Sequence, residues 1–534
     1  MAEAQVVIKQ AQGPGYDGDI AGRYSALESR RSQFLDRARE ASELTIPTLI
    51  PHDGTQQEFP TPYQSLGARA VNNLAAKSLL ALFPPEASFM RLQASKAVVT
   101  EAEKAAGGKD VLAEIQLQLQ DVETEVQTAI EGAGMRPTLF TALRHLIVGG
   151  NGLLHVLPDN RLQFFPLSQY VVRRDLQGNL LEIIVKQTLQ WNSLPPAVQK
   201  VLAKDPLTRD AKATTADVDL YTRVWLDTEG RRWKIVQEAL GMTLEETRGT
   251  YLKDKNPWIT LRWTEVPGED YGRGHVEEYI GDLSALEGLC KAILEGALGA
   301  AKLLFMVDPA SPTSRQTLAE ADNLDFVEGN AKDVSTLKSD KFGDFQVARA
   351  AAEAIELRLS QAFLLGSAVQ RQAERVTAEE IRVLIAELES SLGGLYSLLS
   401  KDLQRPLAVV LMWNLEKKGK IPNFKPGTVD LHIITGLDAL GRTNDQRNLT
   451  QFLVTAREAL GDKPVEEYID AGAALNRLAV SSRIDPNGLI RTEEAVQQTR
   501  QAQQNQALRE KLGPQVIKTA GDQLAASPTS SSGN

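Results

Sequence analysis

The chain has 534 residues, 42% of them hydrophobic and 24% charged, and a net charge of -10. That length exceeds one ordinary core and points to roughly three or four packing units with substantial buried volume, not to wholesale disorder. The acidic balance argues against tight nonspecific DNA binding, which depends on Lys and Arg displacing counterions from phosphates; it does not argue against a conduit, because a mildly acidic wall repels phosphates instead of gripping them.

A single cysteine, Cys290, allows no intramolecular disulfide. The start, Met-Ala-Glu-Ala-Gln, has neither the basic region nor the apolar run of a signal peptide. No uninterrupted apolar run reaches the length of about 18 residues needed to span a bilayer. The Ala/Leu-rich stretch from Leu283 to Met306 comes nearest, but Glu287, Lys291, Glu295 and Lys302 mark it as a protein interface.

Residues 1–20 are rich in Gly, Gln and small side chains and are expected to be mobile. Tyr24, Leu27, Phe34, Leu35, Ala38 and Ala41 then fall on one helical face. Four prolines within 46–62 predict a loop. A second helix is expected from Tyr63 to Phe83, stopped by Pro84-Pro85. A long mixed-charge helix is expected over 99–131, and another from Pro137, a residue suited to a first helical turn, to Gly149-Gly150.

The texture then changes to short strands: Leu153–Leu157, Leu162–Leu167, Tyr170–Arg174 and Leu180–Leu189, separated by Pro158-Asp159-Asn160 and Gly178-Asn179. Val218–Leu226, a turn at Glu229-Gly230, Arg232–Glu238 and Trp258–Trp263 continue the pattern, so that 152–264 forms a β-rich insertion between helical parts. From Tyr271 the chain is helical again. Over 276–304, Leu283, Leu286, Cys290, Ile293, Ala297 and Ala300 recur at helical spacing, and the small residues of the second half favour close approach of another helix. Residues 307–345 break the pattern, and a second Ala/Leu-rich helix is expected over 346–365. After Gly366 comes a polar loop. Thr377 and Glu380 then form a capping box that opens a long helix interrupted at Gly393-Gly394. A helix from Pro406 to Gly419, a strand near Val429–Ile434 and three helical patterns over 444–512 follow. The tail 513–534 is of low complexity and expected to be disordered.

No catalytic constellation emerges. The phosphate-loop pattern G-x-x-x-x-G-K-[ST] is absent; Gly107-Gly108-Lys109 is followed by Asp110 and lacks the upstream glycine. Gly272-Arg273-Gly274 has Glu277 where a dinucleotide fingerprint needs its third glycine. None of His52, His145, His155, His275 and His432 sits in a zinc motif, and His145 is expected to be a satisfied structural residue. Cys290, mid-helix on the apolar side, is expected to be a buried structural thiol. No cofactor, no metal and no enzymatic activity are expected. Gln370, Arg371, Gln372 and Arg375 stand out as a polar, arginine-bearing loop between two long helices. It reads either as a solvated connector or as a loop that touches a phosphate backbone.

Three segments carry a family resemblance: Gly67-Ala-Arg-Ala-Val-Asn-Asn-Leu-Ala-Ala-Lys-Ser-Leu-Leu-Ala-Leu-Phe-Pro84, Tyr271-Gly-Arg-Gly-His-Val-Glu-Glu-Tyr-Ile-Gly-Asp-Leu283 and Ser367-Ala-Val-Gln-Arg-Gln-Ala-Glu-Arg-Val-Thr-Ala-Glu-Glu-Ile381. Two shorter ones, Ser168–Asp175 and Ile434–Arg442, add to it. With their order and the total length, the chain resembles the head-to-tail connector, or portal, family of short-tailed bacteriophages over roughly residues 20–500. The resemblance implies an α+β, mainly helical fold divided into wing, stem, clip and crown. It also implies a ring of twelve identical subunits at one capsid vertex, a virion location after assembly in the host cytoplasm, and double-stranded DNA passing along the axis without sequence reading.

On that basis, residues 21–270 would form the wing, 271–306 and 346–366 the stem helices, and 307–345 the clip. Residues 367–376 would form a tunnel loop, 377–443 a long helix returning to the wing, and 444–512 the crown. Leu283, Leu286, Ile293, Ala297 and Ala300 would pack the stem. The implied partners are copies of the chain, DNA, the terminase, a tail adaptor, and the scaffolding, major capsid and internal core proteins, with no membrane. A structural adaptor or scaffold without a channel, and an enzyme of unknown type, are the competing readings.

Overall fold

The computed structural model describes residues 19–461 apart from 53–58, 85–87, 105–107, 195, 203–216, 228, 301–303, 311–312, 323–324, 338–341, 366–397, 426 and 434–440, together with 469, 471, 472, 474, 475, 478 and 499. The chain divides into two units, Met1–Leu437 and Asp438–Asn534. In the second, the described helix is Gly441–Leu460, with Phe452, Val454 and Leu460 exposed.

The first unit opens with helix α1 (Ile20–Glu43), whose buried Tyr24, Leu27, Phe34, Leu35, Ala38 and Ala41 are the residues that the helical spacing placed on one face. Helix α2 (Leu66–Leu82) follows the proline-rich loop. A short strand β1 (Met90–Ala94) comes next, then helices α3 (Lys96–Lys104), α4 (Gly108–Gly132) and α5 (Met135–Gly149). The described part of the single helix expected over 99–131 falls in two helices, α3 and α4, which pack against each other. Helix α5 is the axis of this layer. Leu139, Ala142, Leu143, Leu146, Ile147 and Val148 are all buried, and the helix packs against α1, α2 and α4.

The β-rich insertion forms two antiparallel sheets. Strands β2 (Asn151–Val156), β3 (Leu162–Phe165) and β9 (Trp258–Arg262) pair in the order β3-β2-β9. A five-stranded meander holds β4 (Tyr170–Arg174), β5 (Leu180–Gln190), β6 (Asp217–Leu226), β7 (Arg232–Ala239) and β8 (Met242–Leu252) in sequence order. Side-chain alternation gives the meander two faces. Register pairs Glu182 with Trp225, Ile184 with Arg223, and Tyr221 with Glu238, so these residues share one face. Helix α1 lies on that face, where Ile20, Tyr24 and Leu27 pack against Val171, Ile184, Trp225 and Val236. The other face takes helix α6 (Pro196–Leu202), whose Val198 and Leu202 meet Val218, Leu220, Ala239 and Leu244.

The next helical stretch begins with α7 (His275–Glu278) and α8 (Ile280–Ala300). It continues through β10 (Leu304–Val307), α9 (Arg315–Glu320), β11 (Val334–Leu337) and α10 (Phe342–Ala362). After 397 a π-helical turn, Ser400–Gln404, runs directly into α11 (Arg405–Lys417). Gln404, fully buried on that turn, donates to the Leu82 carbonyl at 2.6 Å and so ties the turn to the end of α2. The strand expected near 429–434 is β12 (Val429–Ile433), and its partner is β1, with Met90 opposite Ile433.

Buried charges bind α1 to the sheet. The Glu238 carboxylate accepts from the first free amides of the helix, Ile20 N at 2.6 Å and Ala21 N at 3.2 Å, where helix N–H groups lack intrahelical partners. Glu182 accepts from Arg23 Nη2 at 2.9 Å and from Arg223 Nε at 2.7 Å. Arg31, 3% exposed, donates through Nη1 to the carbonyls of Leu167 (3.1 Å), Ser168 (2.9 Å) and Tyr170 (3.1 Å), and through Nη2 to Glu28 at 2.8 Å. Removing this guanidinium strands buried main-chain acceptors. Arg31→Met is therefore expected to cost on the order of 3–5 kcal/mol in urea unfolding followed by tryptophan fluorescence. Arg37→Met, which breaks solvent-accessible pairs with Glu40 and Glu277, should cost about 1 kcal/mol or less. Equal costs for the two substitutions would contradict this account.

Two histidines in the same body are held neutral. Burial, assisted by Arg144, pushes His145 down to about 3, and burial pushes His155 down to about 4. His145 is buried as expected of a structural residue, but it is not fully satisfied: its Nδ1 has no hydrogen-bond partner among the described residues. Between the ordinary histidine value and these depressed ones, the unfolded chain binds protons that the folded chain excludes, so stability falls as pH falls. The expected loss is about 1.4 kcal/mol per histidine per pH unit below about pH 6.5. His155→Phe preserves the stack on Trp258, where ring centroids are 3.8 Å apart, and should lower the slope by about 1.4 kcal/mol per pH unit in unfolding titrations between about pH 6.5 and about pH 5. An unchanged slope would rule out His155 as a contributor.

Candidate functional site

Helices α8 and α10 are the most distinctive feature of the chain. Each has 21 residues, or about 31 Å at 1.5 Å per residue. They run antiparallel. Asp282 near the start of α8 pairs with Arg358 near the end of α10 at 3.0 Å, while the Phe345 ring near the start of α10 lies over Gly296 near the end of α8. A Cβ on Gly296 would fall 2.0 Å from that ring, so the small-residue half of α8 does permit a close approach.

The helix expected over 276–304 is described as far as Ala300. Leu304–Val307 instead pairs as β10 with β11 in a two-stranded antiparallel ribbon, Leu304 opposite Leu337 and Val307 opposite Val334. The segment 307–345, read from sequence as irregular, therefore holds a strand and a short helix. Within it Thr313 is 6% exposed, accepts from Asn330 N and donates to Asp333. Phe326 is fully exposed.

Burial divides α8 in two. Leu283 and Leu286 are buried against the body. Beyond them Ile293 is half-buried and Ala297 is exposed, while the side chain of Ala300 lies outside the described residues. Leu294 (49% exposed) and Leu298 (62%) face outward too, as do Val347 and Leu357 on α10. Cys290, expected to be buried, is half-buried. Burial, with the nearby carboxylates of Glu356 and Glu287, pushes its thiol up, which disfavours the thiolate a nucleophile needs. The reason for the difference is geometric: among the described elements, α10 is the main packing partner of α8.

The base of the pair is joined to the body by backbone. Gly150, at φ 73°, closes α5, and a Cβ there would meet the Arg273 carbonyl carbon at 2.4 Å; a Cβ on Gly274 would meet the Val148 carbonyl at 2.4 Å. Asn151 closes the joint from the side, donating to Gly272 O at 2.8 Å and accepting from Gly272 N at 2.7 Å. The glycines of Gly272-Arg273-Gly274 thus serve main-chain packing, and their N–H groups do not face an open phosphate cradle. Above the joint, Glu287 of α8 accepts from Tyr63 N (2.8 Å) and Gln64 N (3.2 Å), just before α2 begins.

Gln370, Arg371, Gln372 and Arg375, with the capping box at Thr377–Glu380 and the Gly393-Gly394 pair, lie outside the described residues. Helix α10 leads into that segment. Among the described residues no group of three or more His, Cys, Asp or Glu could hold a metal ion. No helix among them is long and apolar enough to cross a membrane.

A long antiparallel helix pair is thus rooted in a mixed α+β body and leads at its far end to a β-ribbon. Comparison with known families identifies the class of protein: the model for the bacteriophage head to tail connecting protein matches residues 17–490. The chain belongs to that family and is a component of a phage virion. Among curated relatives, it is 38% identical to the portal protein of Escherichia phage T7 over 95% of this chain and 94% of the other. It is 39% identical to the portal protein of Enterobacteria phage T3 over 91% and 90%, and 31% identical to that of Enterobacteria phage SP6 over 93% and 94%. A chain of the virion of a native gene transfer agent particle aligns over 75% of this chain and 88% of its own, at 12% identity and a TM-score of 0.33.

Proposed function

We propose that the chain closes into a ring of twelve at one vertex of the capsid and conducts double-stranded DNA along the ring axis during packaging and ejection. The observation that carries this reading is the apolar outer surface of the α8/α10 pair. Leu294, Leu298, Val347 and Leu357 stand exposed on the two paired helices, whereas Leu283, Leu286 and Leu359 of the same helices are buried. Large exposed apolar side chains grouped on paired helices mark an interaction surface. A head-to-tail contact whose rotation closes covers such a surface in every copy and produces a ring.

In this reading residues 21–270 are the wing, the helix pair is the stem, and 307–345 is the clip, which docks the terminase during packaging and the tail adaptor afterwards. The loop 367–376 enters the channel, 377–443 returns to the wing, and 444–512 forms the crown toward the capsid interior. There the ring meets scaffolding, major capsid and internal core proteins and nucleates the procapsid, all in the host cytoplasm. Twelve copies of Arg371 and Arg375 form cationic collars in an otherwise acidic tube, touching phosphates without reading bases. Hydrolysis belongs to the terminase, so the chain needs no cofactor or metal.

Negative-stain microscopy of the purified chain tests the ring. Particles with a central hole are expected; a compact monomer, or an adaptor that never closes, would contradict it. Arg371→Ala with Arg375→Ala should leave ring formation intact and lower the yield of DNA-filled particles in complementation of a phage lacking the gene. DNA-filled particles at normal yield that keep their DNA would dispose of the collars.

A further inference from the structure

Helix α10 ends in an unusual way. Leu365 N donates to Ser360 O at 2.7 Å and Leu364 N to Gln361 O at 3.1 Å, the paired closing bonds of a Schellman turn. The residue at the left-handed position of such a turn is ordinarily glycine. Here it is Leu364, at φ 56°, a conformation that residues with a Cβ disfavour. Gly366, which would adopt it freely, stands only two residues on. A leucine held in this region persists only where its surroundings enforce the geometry.

The surroundings do so through the main-chain carbonyls that the helix leaves unpaired. His275 Nε2 lies 3.3 Å from Ala362 O, and since a carbonyl only accepts, Nε2 carries the proton. Asn73 Nδ2 donates to Phe363 O at 3.3 Å and to Leu364 O at 3.2 Å. Lys77 Nζ, on a side chain 4% exposed, donates to Leu364 O at 2.6 Å. Phe363 is buried among His275 and Tyr279, and His275 also meets Trp263. Asn73 and Lys77 lie one helical turn apart on α2, so one helix face presents both donors to one carbonyl. Three consecutive carbonyls, at 362, 363 and 364, are thereby held by side chains from two remote segments. The two segments are 67–84 and 271–283, and the chain they hold leads into 367–381.

We infer that Asn73, Lys77 and His275 form a clamp on the last carbonyls of α10 that fixes where the segment 367–376 leaves the fold, and so positions Arg371 and Arg375; this rests on the channel-loop reading above. The clamp residues touch no DNA. They are positioning residues, acting through the main chain at the root of the loop. The grip is on main chain alone, and it holds three successive residues, 362, 363 and 364, at the root.

The test uses the full chain with three variants. Lys77→Met keeps the aliphatic stem and loses the donor, Asn73→Asp keeps the shape and loses the donor, and Lys77→Arg keeps an N–H donor at the expense of bulk. Hydrogen exchange in peptides spanning 363–376 should accelerate about tenfold or more in the first two variants and stay within about threefold of the parent in the third. Peptides from α1 and β5 should be unchanged. Complemented particles carrying the first two variants should lose DNA as Arg371→Ala with Arg375→Ala does, while rings still form. A residue that merely fills space predicts the opposite order, with Met tolerated and Arg disruptive, and that order would overturn the inference. So would unchanged exchange in Lys77→Met, or faster exchange with normal DNA retention where the arginine variant loses DNA. If the arginine variant itself retains DNA, the channel-loop reading falls and with it the positioning role, while the exchange data still decide whether the clamp exists.

Discussion

The fold hinges on one contact between backbones. At Gly150 the end of the central helix meets the Arg273–Gly274 peptide so closely that neither Gly150 nor Gly274 has room for a Cβ. The chain before that contact packs into the body, and the chain just after it leads into the projecting helix pair, while the π-helical turn, α11 and β12 return to the body. Main-chain packing of this kind leaves little play, because displacement in any direction breaks the paired bonds between Asn151 and Gly272. The body can therefore aim a helix of about 31 Å from a base only a few residues wide. Glu287 adds a second point of attachment further up the helix, and the Asp282–Arg358 pair adds the partner helix.

The body keeps its own geometry in a related way. Three of its buried charged side chains are each assigned to a partner that needs it: Glu238 to helix amides, Glu182 to two arginines, Arg31 to three carbonyls. Buried pairs of this sort add little net stability over a well-packed apolar alternative, yet breaking one leaves an uncompensated group. Their contribution is orientation. An apolar helix laid on an apolar sheet could slide by a turn, whereas one whose N-terminal amides must meet Glu238 has a fixed register.

Much of this was legible in the sequence, for reasons that differ by element. The 3–4 spacing from Tyr24 to Ala41 and the Gly149-Gly150 stop are local signals, and both elements formed where they pointed. So are the turn residues between strands: Asn160 and Gly178 take left-handed conformations at the breaks they marked. Strand β8 escaped because it is the sheet edge, and Glu245, Glu246, Arg248 and Gly249 give it the polar composition that exposed edges carry. Strand β1 escaped because its partner lies about 340 residues away. Leu304–Val307 was absorbed into the preceding helix because four apolar residues look alike in either conformation. Along α8 the spacing of Cys290, Ile293 and Ala297 identified an apolar face correctly as helical, but periodicity carries no information on whether that face is covered by the same chain. The clamp on α10 was invisible for a similar reason: its donors are Asn and Lys on one helix, and its acceptors are carbonyls, which every residue has.

Arg31 recognises main chain and not side chains, and this bears on how the protein can change over time. It holds the path of the chain at 167–170 through carbonyls alone, so the side chains at those positions can drift in sequence without weakening the tie. Length is another matter. Inserting or deleting one residue between β3 and β4 would present the guanidinium with carbonyls at the wrong spacing and rotate every following strand residue to the opposite face of the sheet. Lineages of this chain should therefore hold the length of that short connection constant, while identity at the buried Leu167 and Tyr170 is held by packing instead.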